Sequence, residues 1–175
     1  MALIFVLIPL LIFTISIVYF SIQTGISPMP SSLEVKKALI PLLPQKIDGK
    51  IYELGSGWGS ILVQFVNQYP KAEIVGYELS FFPWLTAWLR LKWLGGVKAQ
   101  VLRKDFFSTK LENATLVFCY LYPGAMDKLK EKFENELSRG SIVVTNSFTI
   151  PGWKPLMTIA VNDLFRSKIY YYKKN

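Results

Sequence analysis

The first 33 residues carry no charge; Glu34 is the first charged side chain. Within that stretch, residues 2–22 hold 17 hydrophobic side chains out of 21, interrupted only by Pro9, Thr14, Ser16 and Ser21. As a helix such a run measures about 31 Å, close to the thickness of a bilayer's hydrocarbon core. A cleaved signal wants a basic leader, a shorter apolar core and a small-residue cleavage site, whereas here only Met1 and Ala2 precede the run. A buried core helix would want a polar face, which is hard to find in it. Residues 1–23 therefore read as a retained transmembrane anchor, with Pro9 as a tolerated kink. Lys36, Lys37, Lys46 and Lys50 follow it and no basic residue precedes it. The positive-inside rule then predicts a single-pass membrane protein whose domain faces the cytoplasm.

All 32 charged residues fall in the last 142, with 20 basic against 12 acidic, a net charge of +8. Attraction to anionic lipid head groups is sufficient reason for that excess. No helix-turn-helix pattern, RNP-like motif or Arg-rich tail accompanies it, so no nucleic-acid partner is expected. The chain has no histidine and one cysteine, Cys119, which reads as a small buried hydrophobe. Histidine–cysteine zinc sites, Ser-His-Asp triads, Cys-His pairs and intrachain disulfides are excluded. Without a tight Asp/Glu cluster, no metal is expected either.

Residues 24–49 read as a linker and an N-terminal capping helix, with Ser31 and Glu34 forming a capping box and Pro41 ending the helix near residue 40. From residue 50 to 175 strands and helices alternate. Strands are predicted at 50–54, 72–78, 98–103, 114–120 and 141–146, and helices at 58–69, 82–94 and 125–137. Two last strands, 157–162 and 167–173, pair antiparallel. Alternation of this kind means an α/β domain with a parallel-dominated sheet covered on both faces. The aromatic residues of 81–94 (Phe81, Phe82, Trp84, Trp88 and Trp93) are expected to pack mostly on that sheet, with a lipid-interface role as the second reading.

The chemistry concentrates in Glu53-Leu54-Gly55-Ser56-Gly57-Trp58-Gly59-Ser60, where strand, glycine turn and helix follow in order. Without Cβ atoms the backbone turns sharply and approaches a ligand at the strand ends. The third position of a dinucleotide fingerprint is Ser60 rather than Gly or Ala, and the Walker Lys-Ser/Thr pair is missing, so neither motif is complete. The second strand ends in Gly76-Tyr77-Glu78 and the third in Arg103-Lys104-Asp105-Phe106. A carboxylate at Glu78 suits two ribose hydroxyls; an acid beside a ring at Asp105 and Phe106 suits an adenine edge and face. Three acids at successive strand ends converge on one crevice. Against these stand plainer readings: a solvent carboxylate at Glu78, a helix cap at Asp105.

The pattern E-x-G-x-G-x-G, G-Y-E, R-K-D-F resembles the seven-strand, S-adenosylmethionine-dependent methyltransferases. More narrowly, with Pro30-Ser31-Ser32, Val117–Pro123 (VFCYLYP) and Pro151-Gly152-Trp153-Lys154-Pro155, it resembles small membrane-anchored protein-lysine methyltransferases. That group includes mitochondrial enzymes acting on ATP synthase and adenine-nucleotide-carrier lysines, and prokaryotic relatives. The resemblance implies a Rossmann-like seven-stranded sheet and S-adenosylmethionine as cofactor. It implies Glu53, Gly55, Ser56, Gly57 and Gly59 at the methionine part, Glu78 at the ribose, Asp105 and Phe106 at the adenine, and Leu79 among the cofactor contacts. Tyr120 and Tyr122 would form the acceptor slot, with Leu121, Pro123 and Trp153 as substrate contacts. Core packing is the competing reading for both tyrosines and for Trp153. Trp58 departs from the acidic or small residue frequent in relatives, and no Asn-Pro-Pro-Tyr motif is present. The implied partner is a protein substrate, membrane proteins included. A small or lipidic acceptor and a non-catalytic binding module stay open as alternatives.

Overall fold

A computed structural model describes residues 2–24, 30–96 and 98–175. The interior of the predicted linker, residues 25–29, lies outside them. The N-terminal apolar run forms α1 (Ala2–Thr24), with Pro9 inside it. Its Ile4–Ile22 stretch is long and apolar enough to cross a membrane, and none of it is buried in the domain.

Short helix α2 (Leu33–Leu39) starts one residue later than the sequence suggests: Ser32, not Ser31, is the N-cap, and its Oγ accepts the Val35 N–H. Ser32 is fixed there because its hydroxyl also donates to Asp163 Oδ2 at 3.0 Å, a tie to the far end of the chain. Val35, Leu39, Leu43 and Ile47 join the main core, so residues 33–47 pack as part of the domain.

The strands are β1 (Lys50–Leu54), β2 (Glu73–Tyr77), β3 (Ala99–Leu102), β4 (Ala114–Cys119), β5 (Ile142–Asn146), β6 (Met157–Ala160) and β7 (Lys168–Lys173). They form one seven-stranded sheet in the order β3-β2-β1-β4-β5-β7-β6. The first five are parallel; β7 pairs antiparallel with β6, as the sequence predicts, and also with β5. Strand order reverses between β1 and β4, the switch point where open α/β sheets bind ligands beyond their carboxyl ends.

Helices α3 (Ser60–Gln68) and α4 (Phe81–Leu94) cover one face, and α5 (Pro123–Glu136) the other. Period-two alternation sorts the strands: Ile51, Leu116, Phe118, Ile142 and Val144 face the α3 side, Tyr52, Leu54, Val117, Cys119 and Val143 the α5 side. Two helix starts differ from expectation. Trp58 and Gly59 belong to the turn before α3, because Gly59 sits at φ 76° as N-cap. Helix α5 begins at Pro123, whose ring suits a first helical position where no N–H bond is lost.

The aromatic residues of α4 do not follow the packing expectation. Trp84 leans on the core and its indole N–H donates to the Val101 carbonyl. Trp88 is only part covered and Trp93 is 92% exposed. The cause is position: α4 lies over the sheet edge at β3, whose four residues offer too little surface to bury a helix carrying rings all round.

Candidate active site

The glycine turn is anchored to the neighbouring strand. The N–H groups of Gly55 and Ser56 both donate to the Tyr77 carbonyl, at 2.9 and 2.8 Å, and Gly59 N–H closes the turn on the Ser56 carbonyl. Gly55, Gly57 and Gly59 all hold positive φ, conformations a Cβ penalises. At two of them space matters as well. A Cβ on Gly59 would lie 2.9 Å from Ala87 Cα, and one on Gly55 would lie 2.9 Å from Leu121 Cδ2. Gly57 is different: nothing stands within 4 Å of its missing Cβ. The loop is thus pressed against α4 and Leu121 on its inner side and open at Gly57.

Glu53 and Glu78 meet this turn from below. Glu53 is 3% exposed, and its Oε2 has no hydrogen-bond partner. Burial, and next the Glu78 charge, push its carboxyl well above the usual carboxylate range, although hydrogen bonds from Ser56 and Leu62 pull the other way. Glu78 accepts the Gly57 N–H on Oε2 at 2.8 Å and the Ser80 N–H on Oε1 at 2.7 Å. It is therefore a buried brace between the turn and the start of α4, not a solvent carboxylate, and each oxygen keeps a further lone pair for a hydroxyl.

At the end of β3, Asp105 caps a single 3-10 turn, Phe106–Ser108, by accepting the Phe107 N–H at 2.9 Å. The plainer cap reading of Asp105 therefore holds in this structure. Phe106 is half-buried against Phe107, ring centroids 4.5 Å apart. Leu79 lies between these elements, and its carbonyl accepts Arg103 Nε.

The acceptor-side residues do not gather as the resemblance implies. Tyr120 leans on the α3-side core and Tyr122 on the α5-side core, so the two rings flank the end of β4 on opposite faces and share no slot. Leu121 between them is buried under Gly55. Pro123 serves as the first residue of α5. Trp153 is not at the crevice at all. Its ring packs on Phe133 and Tyr172, its N–H donates to Glu134, and Lys174 Nζ lies over it at 5.5 Å. Tyr172 pairs with Val143 near the start of β5, so Trp153 belongs to the opposite end of the sheet.

One polar residue at the crevice end escaped the sequence reading. Asn146, the last residue of β5, is 1% exposed and its Oδ1 has no partner. The signal was an amide closing an otherwise buried strand, Ile-Val-Val-Thr-Asn. Helix α1 reaches the other rim, where the Phe13 ring stands 4.9 Å from Phe82 and 6.5 Å from Trp58. Among the described residues no cluster of His, Cys, Asp or Glu forms a metal site.

The orphan Glu53 oxygen, the open Gly57 and the α3 N-terminus, which has no side-chain cap, fit a ligand with cationic and anionic ends. Residues 53–157 match the model of a family described as the ANTKMT methyltransferase domain. The chain belongs to this family. It is 28% identical over 136 residues to a protein-lysine N-methyltransferase of Saccharolobus islandicus, covering 77% of this chain and 84% of that protein. It is 35% identical over 114 residues to the adenine nucleotide translocase lysine N-methyltransferase of Mus musculus, covering 63% of this chain and 48% of the mouse protein. Among solved structures, an RNA methyltransferase from Salinibacter ruber in complex with S-adenosyl-L-homocysteine superposes with TM-score 0.73. That match has 27% identity and covers 83% of this chain and 93% of that one. The protein is a class I S-adenosylmethionine-dependent methyltransferase.

Proposed function

We propose that this methyltransferase modifies a lysine ε-amine of a protein. The observation that carries the reading is that both curated relatives are named as lysine methyltransferases, one matching along most of its own length. The cofactor, when bound, supplies a methyl group on a positive sulfur. Residues of this chain do the rest. Gly55–Gly59 and Glu78 would hold the methionine and ribose parts, and Asp105 with Phe106 the adenine. Glu53 sets a carboxyl beneath the turn. Tyr120 at the mouth draws in an ammonium by cation–π attraction of about 0.5–2 kcal/mol.

A strong base is not required. The amine loses its proton to solvent as it enters, because burial beside a positive charge lowers an amine's pKa. The turn residues would hold the cofactor so that the methyl group it supplies faces the amine's nitrogen lone pair, and its sulfur would keep the electron pair of the bond that carried the methyl. The absence of histidine from the chain is compatible with this chemistry.

Membrane attachment and a cytoplasmic domain belong to the same proposal: residues 1–23 as anchor, 24–49 as linker and capping helix, 50–175 as catalytic domain. Phe13 is the midpoint of Ile4–Ile22, and a bilayer midpoint lies about 15 Å from either interface. Contact of Phe13 with Phe82 and Trp58 therefore cannot coexist with a full span unless the charged domain enters hydrocarbon. Insertion then means that α1 leaves this rim and uncovers Phe82 beside the crevice, where a membrane-embedded substrate would arrive.

Calorimetric titration of the detergent-solubilised full chain with S-adenosylmethionine, alongside Glu78→Ala, tests the cofactor assignments. Loss of affinity by 10-fold or more is expected, about 1.4 kcal/mol. Labelled methyl recovered as methyl-lysine from acid hydrolysates supports the acceptor; label in nucleosides or lipid extracts instead would replace lysine with those acceptors.

A further inference from the structure

We propose that the side-chain amide of Asn146 is the group that receives and orients the acceptor amine, beside Tyr120; the assignment rests on the lysine reading above. Register places it there. The last paired residues of β4 and β5 are Cys119 and Thr145, so Tyr120 and Asn146 come next on adjacent strands, about 4.8 Å apart. On the other side, Leu54 pairs with Cys119, which sets Gly55 of the cofactor turn next to Tyr120. Asn146 continues the alternation of Ile142 and Val144 and faces the α3 side, as Tyr120 and Glu53 do. Tyr120 and Asn146 thus stand side by side on the α3 face, one strand away from the cofactor turn at Gly55.

Two features at this point carry a local cost. The first is the buried Oδ1 with no partner, a vacancy most native cores avoid. The second is the next residue, Ser147, held at φ 68°. Phe148 N–H closes on the Asn146 carbonyl at 2.9 Å, making a three-residue turn of the rare positive-φ kind, and Ser147 N–H is pinned to the Lys168 carbonyl at 2.8 Å. Strain of this type persists where the surroundings enforce it, and it gathers at working sites. A ligand donating an N–H to Oδ1 gives both features a purpose.

An amide suits this task better than a carboxylate. Its oxygen accepts an N–H from the amine and so fixes where the nitrogen lone pair points. Being neutral, it does not strengthen the amine's hold on the proton that must leave before transfer. Tyr122, on the far face, takes no part in this contact.

Asn146→Leu, close in volume, separates function from folding. Removing an unpartnered buried polar group in favour of an apolar one is neutral or stabilising. The full-length variant in detergent should therefore melt at or above the wild-type temperature and bind S-adenosylmethionine within about threefold of wild type. Its yield of labelled methyl-lysine from an unlabelled bacterial cell extract, used as the acceptor probe, should fall by about 10²-fold. Asn146→Asp, which keeps an acceptor oxygen, should retain transfer within about 10-fold. A melting temperature that falls, with activity lost only in proportion to folded protein, would make Asn146 structural and overturn the assignment. Undiminished transfer by Asn146→Leu overturns it as well. Should Asn146→Leu fail to fold, Asn146→Ser is judged by the same three readouts. A wild-type chain that binds the cofactor yet makes no methyl-lysine sinks the lysine reading itself, and this assignment with it. An active wild type with an equally active Asn146→Leu sinks the assignment alone.

Discussion

The two ends of the sheet are built on different terms. At the amino ends of the strands the buried polar groups are satisfied. Lys132, 7% exposed, pairs with Glu136 at 2.8 Å and donates to the Thr109 carbonyl. Glu136 accepts the Leu111 N–H at 2.8 Å, and Ser141 Oγ donates to the Ala114 carbonyl at 2.7 Å. At the carboxyl ends, Glu53 Oε2 and Asn146 Oδ1 are buried without partners. Gln64 Oε1, inside α3, is the other orphan among the described residues. One end is spent on stability; the other carries unmet acceptors that a donor on a bound molecule would satisfy.

Substitution at Gly59 should do the most to break this contrast. Gly59→Ala adds a Cβ at φ 76° and 2.9 Å from the Ala87 backbone, so both strain and overpacking apply. A loss of about 2–4 kcal/mol in a denaturant melt is expected, together with loss of cofactor binding. A stable, binding variant would show that the close approach of the turn to α4 is not needed.

Trp153→Ala is the counterpart at the opposite end. Truncating a half-buried ring that packs on Phe133 and Tyr172 should cost about 2 kcal/mol. Turnover per folded molecule should stay within about twofold. A selective loss of turnover would return Trp153 to the substrate side and spoil the division of labour between the ends.

Glu53→Gln has the smallest expected effect and the sharpest signature. The folded carboxyl is held above its unfolded value, so between the two the folded state binds more protons. Stability then falls as pH rises through that window, and the full cost is present above the folded value. The Gln variant removes this slope. Its melting temperature at neutral pH should rise by about 2–4 °C for each kcal/mol recovered, while affinity for S-adenosylmethionine falls. A wild-type stability that rises with pH through the same window would contradict burial as the dominant influence on Glu53.

How far the sequence reached depended on the range of the interactions involved. The glycine turn was legible because its constraint is local: strand, φ-permissive residues and helix occupy a dozen consecutive positions. Strand assignments fell within a residue or two of the structure because periodicity is local too. The Ser31 cap missed by one residue, since the choice of Ser32 depends on Asp163, 131 residues away. Trp153 was misplaced toward the substrate because the chain after β5 doubles back along the α5 face, and nothing in Pro-Gly-Trp-Lys-Pro reports that direction. Tyr120 and Tyr122 were read as neighbours, yet residues two apart across a helix start need not share a face. Asn146 acquires meaning only from the strand paired beside it.

The sequence by itself determined an apolar N-terminal helix, an alternating α/β domain and a glycine turn between the first strand and the helix that follows it. Each of these follows from short-range sterics, hydrophobic period and turn chemistry. Only the tertiary structure decided which buried acceptors went without partners, that α4 rides the sheet edge with Trp93 exposed, and that Trp153 braces the far end. Those outcomes depend on strand order and register, which bring residues distant in the chain side by side and settle, group by group, whether a polar atom finds a partner.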